Sequence, residues 1–260
     1  MLNLAINLGP RTTPGGWPYG AYDDVNGLGD ETSVRFMAMF DQHIGQQGNT
    51  VLDETGAHAI TFGPNASITA NGLALVSPDT EGATIADSPD WMIATGNHFG
   101  VAEYLLYADS PLTAVQAIAG QMVTPQRSWQ TYTTVNGFLG WQLSQDGTNI
   151  LATAQTTHVL PAETLYYVAY VIDAGKSPGS GNRYRIYAGP AGVQNGVTQR
   201  AEQGIPSVFV PFDSTMPFPV ARSAVVRVKG MRVRRIETGF PVTVPGLSEP
   251  FTAPLGFGQG

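Results

Sequence analysis

Alternation of apolar and polar residues organises the middle of this chain. In SVRFMAMF, Val34, Phe36, Ala38 and Phe40 share one parity and Arg35, Met37 and Met39 the other. Period-2 patterning predicts a strand with one face toward a core. WQTYTTV ends at Asn136-Gly137, a dipeptide suited to a two-residue hairpin turn, and GFLGWQLS follows with Leu139, Trp141 and Leu143 on one face. Asp146-Gly147 predicts another turn before NILATAQT. TLYYVAYVI is a continuous apolar and aromatic run, the pattern of a strand buried on both faces. KSPGSGN reads as a loop, and RYRIYAG sets Arg183 and Arg185 against Tyr184 and Ile186. In AVVRVKGMRVRRI the apolar parity switches at Gly230, from Val226 and Val228 to Met231 and Val233, which predicts a bulge or a break. SPLTAVQAIAGQM is ambiguous: Leu112, Val115, Ile118 and Met122 lie at near-helical spacing, but the neighbouring segments read as strands.

Many short strands between turn signals predict an all-β, two-sheet antiparallel sandwich. The absence of a 20–50-residue internal repeat argues against a propeller or solenoid. The flanks differ from this body. RTTPGGWPYG holds two prolines and three glycines, the acidic, turn-rich YDDVNGLGDE follows it, and GFPVTVPGLSEPFTAPLGFGQG holds four prolines and no basic residue. The expected organisation is an extended N-terminal arm (1–31), a sandwich (32–238) and an extended C-terminal tail (239–260).

Composition sharpens this picture. Of 260 residues 42% are hydrophobic, enough for a chain of this length to bury a core without staples. Cysteine is absent, which excludes a disulfide framework, a thiol nucleophile and a thiolate zinc site. The start MLNLAINLGP has no basic n-region and its apolar run is broken by Asn3 and Asn7, so no secretory signal is expected. No run of about 18 apolar residues occurs, and no membrane insertion is expected. The net charge of −7 disfavours nucleic acid as a partner. Charge is unevenly spread: residues 1–110 hold 13 acids and 2 bases, while Arg222–Arg235 holds six of the 13 basic residues. Such a split fits complementary patches between copies or partners as well as solvated strand faces.

Together these segments resemble the concanavalin-A-like, laminin-G-like jelly-roll superfamily across about residues 50–238. GATIADSPDWMIATGNHFGVAEYLLY is similar to its early strand-turn-strand stretch, SWQTYTTVNGFLGWQLSQDGTN to the hairpin that follows, and AVVRVKGMRVRR to its closing strand. ETLYYVAYVIDAG with NRYRIYAGP resembles its strand pair, although Tyr166-Tyr167-Val168-Ala169 stands where the family pattern reads Trp-x-His-Val-Ala. Free-standing members of this kind look most like virion structural proteins of tailed bacteriophages. The resemblance therefore implies a capsid decoration, spike or tail appendage located in the virion. Its partners would be other virion proteins and copies of itself, with host surface glycans as a further contact. A stand-alone carbohydrate-binding module is the alternative, and a glycan-cleaving enzyme a more distant one.

The motifs do not point to catalysis. Gly175-Lys176-Ser177-Pro178-Gly179 matches G-x-S-x-G, but Pro178 lacks the N–H that an oxyanion hole takes from that position. A Walker A loop ending at Lys176-Ser177 would need glycine where Tyr170 stands. His43, His58, His98 and His158 show no metal-pair spacing. The family's glucanases carry alternating acids on one strand, whereas Glu103 has no acid at i+2. Asp87-Ser88-Pro89-Asp90 reads as a turn. The resemblance admits calcium at a sandwich rim, but no compact loop supplies the six to eight oxygens calcium takes, and no cofactor is expected. Trp91, Trp129 and Trp141 fit a core, whereas Trp17, in the Gly/Pro arm beside Tyr19, fits an interface anchor. The expected assembly contacts are Trp17 and Tyr19, with Asp23 and Asp24 of the arm meeting the basic strand of Arg227, Lys229, Arg232, Arg234 and Arg235 on another copy.

Overall fold

The computed structural model describes residues 34–77, 79–92, 98–173, 183–191, 198–204 and 210–237. They form two eight-stranded sheets stacked face to face, joined by turns and two short 3-10 segments, with antiparallel pairing between the strands. The first sheet runs β14 (Thr198–Gly204), β13 (Arg183–Pro190), β12 (Leu165–Asp173), β7 (His98–Ala108) and β16 (Val226–Glu237). Beyond β16, one half of that strand pairs with β1 (Val34–Met39) and the other with β5 (Gly72–Ala74), which leads to β4 (Ser67–Thr69). The second sheet runs β11 (Ala152–Val159), β10 (Phe138–Gly147), β9 (Arg127–Thr133), β8 (Gln116–Gly120), β15 (Phe218–Val220), β6 (Ala83–Ile85), β3 (Ala59–Phe62) and β2 (Thr50–Leu52). This is the expected jelly-roll sandwich. The arm 1–31 and the tail 239–260, with Trp17, Tyr19, Asp23 and Asp24, lie outside the described residues, as does the Gly175–Gly179 loop.

The inward residues of both sheets make one core. Ala102, Tyr104 and Leu106 of β7, Val168 and Tyr170 of β12, and Trp129, Leu139, Trp141 and Leu143 of the facing sheet belong to it. Aromatic rings knit it together: Trp91 stacks on Phe218 at 4.6 Å, Trp129 meets Trp141 edge-on at 6.1 Å, and Trp141 meets Tyr170 at 5.4 Å. The indole N–H of Trp129 donates to the Trp91 carbonyl at 2.7 Å, which ties the 3-10 segment Pro89–Trp91 to β9. The core role expected for these three tryptophans is what the structure shows.

Two local expectations need adjustment. The ambiguous stretch is the strand β8, not a helix: Ala119 pairs with Thr131 of β9 and with Val220 of β15. Val115 of its apparent helical stripe is exposed, so tertiary pairing overrides the spacing. The β9–β10 turn also spans four residues, 134–137, rather than two. Thr134 Oγ1 accepts from the Asn136 and Phe138 amides, and Gly137 takes φ of 76°, closing the turn around a side-chain hydroxyl. The break expected at Gly230 is present as a register shift between Val228 and Gly230 against β7. It keeps Val226 and Val228 before it, and Met231 and Val233 after it, on the core side.

Candidate functional site

Two sheet faces point away from the core, and they differ in chemistry. On the first sheet, alternation turns Met37 and Met39 of β1, Val101, Glu103 and Leu105 of β7, Tyr167, Ala169 and Val171 of β12, and Tyr187 of β13 outward. The apolar members form a second hydrophobic cluster, separate from the core. Glu103 lies at its centre, fully buried. Its carboxylate accepts from Arg232 Nε at 2.6 Å and Nη2 at 2.7 Å, and from the Tyr167 hydroxyl at 2.5 Å. Arg234 Nε is 3.2 Å away. Burial pushes the Glu103 pKa up, but the Arg232 and Arg234 charges and the Arg232 and Tyr167 hydrogen bonds outweigh it and hold the value at about 2. Glu103 is therefore held ionised within this cluster.

The same geometry shows intrachain ion pairs along the basic strand. Arg232 and Arg234 are buried in their own chain, with their charge directed to Glu103. Arg227 Nε donates to both Asp109 oxygens at 2.8 Å, and Lys229 Nζ lies 3.3 Å from Asp41. Four of the five basic residues expected to meet acids of another copy thus have carboxylates beside them at home. Arg235 has no carboxylate partner among the described residues, and its Nε is buried without an acceptor. The intrachain acids at positions 41, 103 and 109 lie far away in sequence, so charge statistics along the chain did not reveal them.

The second sheet presents a different face. In the registered rung Ala117, Tyr132, Gly140 and Gln155, and the next rung Gln130, Gln142 and Thr153, the side chains point away from the core. Tyr132 lies across Gly140, where an added Cβ would sit 2.4 Å from the ring, so only glycine lets the ring lie flat on the strand. Gln155 and Thr153 are exposed, and Gln130 and Gln142 half-buried. Neither rung carries a charge. The result is a flat surface of amides and hydroxyls around one aromatic ring. Tyr132 is 8% exposed, so most of its side chain is withdrawn from solvent. The strand letters WQTYTTV and GFLGWQLS contain this face as their outward parity, but which residues stand side by side follows only from the register.

The remaining polar clusters are occupied internally. Asp87 accepts from Gln121 Nε2 at 3.4 Å, Ser88 Oγ accepts from the Asp90 amide at 3.2 Å, and Asp90 lies 3.2 Å from His58 Nε2. The segment thus forms a turn in which the Asp87 carboxylate holds Gln121 and the Ser88 hydroxyl holds the Asp90 amide. Asp53 is buried and accepts from the amides of Met37, Ala57 and His58, holding β1 against the turn after β2. A shallow depression of about 350 Å³ near Pro64, Asp79 and Glu81 has its Asp79 carboxylate engaged by Asn65, at 2.9 and 3.1 Å. No group of three or more His, Asp or Glu suited to a metal ion occurs among the described residues.

No protein-family model matches the sequence, and no curated protein matches it. The fold does match solved structures. The receptor-binding domain of botulinum neurotoxin mosaic serotype C/D superposes with a TM-score of 0.52 at 11% identity, over 79% of this chain and 47% of that one. The binding domain of botulinum neurotoxin serotype D gives 0.52 at 12% identity, over 79% and 49%. This chain spans about half the length of those domains. At such identity the likeness shows a shared all-β sandwich fold.

Proposed function

We propose that the protein is a non-enzymatic structural component of a tailed-phage particle that touches saccharides through the outer face of its second sheet. The observation that carries the saccharide contact is the rung pair around Tyr132. The uncharged amides and hydroxyl of Gln130, Gln142, Gln155 and Thr153, grouped around the largely buried Tyr132, supply paired hydrogen bonds to a neutral ligand rich in hydroxyls. A flat, open surface buries little of such a ligand, so single-site affinity is expected near the millimolar range, about −4 kcal/mol, and useful adhesion then requires many copies. The non-enzymatic part is supported by Glu103, which the buried arginines hold as an anion away from solvent. The phage setting rests on the resemblance of the strand segments.

A glycan array probed with multimerised protein tests the contact. Binding is expected for the natural chain and is expected to drop at least tenfold for Gln142→Ala and for Gln155→Ala, two outward residues whose loss leaves the core intact. An array with no signal above background sinks the saccharide reading. A stand-alone carbohydrate-binding module is the second reading, favoured by the same face. Mass spectrometry of purified virions separates the two, since a structural component is present in the particle at stoichiometric copy number.

A further inference from the structure

We propose, on the footing of that saccharide contact, that the ligand of the second sheet's outer face is amphipathic: a neutral sugar bearing an apolar substituent, as in an alkyl glycoside. The sugar lies on the glutamine rungs and the substituent on an apolar strip at one end of the same face. The strip follows from register. β10 turns Phe138, Gly140 and Gln142 outward, because Leu139, Trp141 and Leu143 belong to the core. Gln142 stands beside Gln130 and Thr153, and Gly140 beside Tyr132 and Gln155, so these two rungs offer amides and hydroxyls. The third outward residue, Phe138, stands beside Val159 of β11. Over four steps of the strand, about 13 Å, the face passes from hydrogen-bonding groups to hydrocarbon.

A single exposed valine calls for no explanation. Here several apolar side chains meet. Val159 and Val135 are each 50% exposed, and Phe138 is half-buried. Between them lies bare backbone at Gly137, where an added Cβ would sit 3.1 Å from Val159 Cγ1 and 3.7 Å from Leu112 Cδ1. Charge selects the occupant. Residues 110–162, which supply β8 to β11, hold no Asp, Glu, Lys or Arg except Arg127 and Asp146. Both stand at the opposite end of the face. Arg127 pairs with Gly147 and donates to the Thr148 carbonyl at 2.6 Å, and Asp146 accepts from the Thr148 and Asn149 amides. Ile150 and Leu151 are exposed at that end, beside those charges. His158, next to Val159 in the chain, turns to the Tyr166 hydroxyl at 2.9 Å. The Val159 end therefore offers an ionic headgroup no counter-charge, while an apolar group laid on it removes hydrocarbon from water on both sides.

The experiment titrates the full chain, isotopically labelled on its backbone amides and valine methyls, with matched methyl and hexyl glycosides of glucose, galactose, mannose and N-acetylglucosamine below micelle formation. Hexanol is the control, and binding is read by nuclear magnetic resonance. At least one hexyl glycoside is expected to bind at least tenfold more tightly than its methyl partner, the gain from burying about two methylene groups. It is expected to shift the Val135 and Val159 methyl signals together with the Gln142 amide, whereas the methyl glycoside shifts the Gln142 amide alone. Val159→Asp is expected to erase the tenfold gain and leave the methyl glycoside affinity unchanged, and Gln142→Ala to weaken both. Equal affinity of the two forms, with the Gln142 signal moving in each, overturns the amphipathic ligand and leaves the saccharide contact standing. A gain that survives Val159→Asp, or hexanol alone binding the valines as tightly as the glycoside does, also overturns it. No shift at Gln142 with any glycoside sinks the saccharide contact and the amphipathic ligand together.

Discussion

Glu103 shows how one buried carboxylate can hold an ionic cluster together. Its carboxylate takes three short hydrogen bonds in a site closed to water, so removing the charge leaves Arg232 and Arg234 buried without their anion. Breaking such a pair from one side costs about 3–5 kcal/mol, and Glu103→Gln is expected to lower the urea midpoint accordingly. The pH dependence follows from the depressed value. The folded pKa of about 2 lies below the ordinary 4.5, so this contribution is complete above about pH 4.5 and is lost as pH falls toward 2. The stability of the natural chain is therefore expected to fall more steeply between those values than that of Glu103→Gln. Two core tyrosines make the opposite case. The Tyr170 hydroxyl is buried with no hydrogen-bond partner among the described residues, whereas the Tyr104 hydroxyl bonds Thr131 Oγ1 at 3.1 Å. Tyr170→Phe is expected to be neutral or stabilising, and Tyr104→Phe to cost about 1 kcal/mol, both read from denaturant midpoints at constant m.

At the scale of the element, the long strands were legible and the short ones were not. β7, β10, β12 and β16 are long enough for alternation or an apolar run to stand out, and the Gly230 irregularity was visible as a switch of parity. β4, β5, β6 and β15 are three residues each, too short to show a period, and their positions come from pairing with distant partners such as Phe218 with Ile85. β8 was ambiguous because five residues between β9 and β15 gain their conformation from both neighbours rather than from their own spacing. The candidate faces were half legible for the same reason. The outward letters of β9 and β10 were readable, but the contact of Tyr132 with Gly140 depends on register. A methyl group at position 140 would collide with the tyrosine ring. Gly140→Ala is therefore expected to destabilise by about 1–3 kcal/mol, typical of overpacking, and to displace Tyr132, seen as a change in near-ultraviolet circular dichroism.

For the whole molecule, the two outer faces of the sandwich differ in chemistry. One outer face holds a buried ionic cluster within apolar residues, and the other an uncharged amide surface. Incubation with β-glucans, cell-wall glycans or capsular polysaccharides is expected to release no reducing ends, because the described carboxylates on the strands are engaged by guanidinium or amide groups. Turnover that vanishes in Asp90→Asn or Glu103→Gln would contradict this. The topology carries one more consequence. β1 and β16 are antiparallel neighbours, with Val34 opposite Arg234, so the first and last described strands meet at one end of a shared ladder. A pull applied across Val34 and Glu237 would load that ladder from its end, opening hydrogen bonds one after another like a zipper instead of shearing them together. A particle that tethered this sandwich by both strand ends would have a latch that peels at low force, whereas a tether at one end alone would leave the latch unloaded.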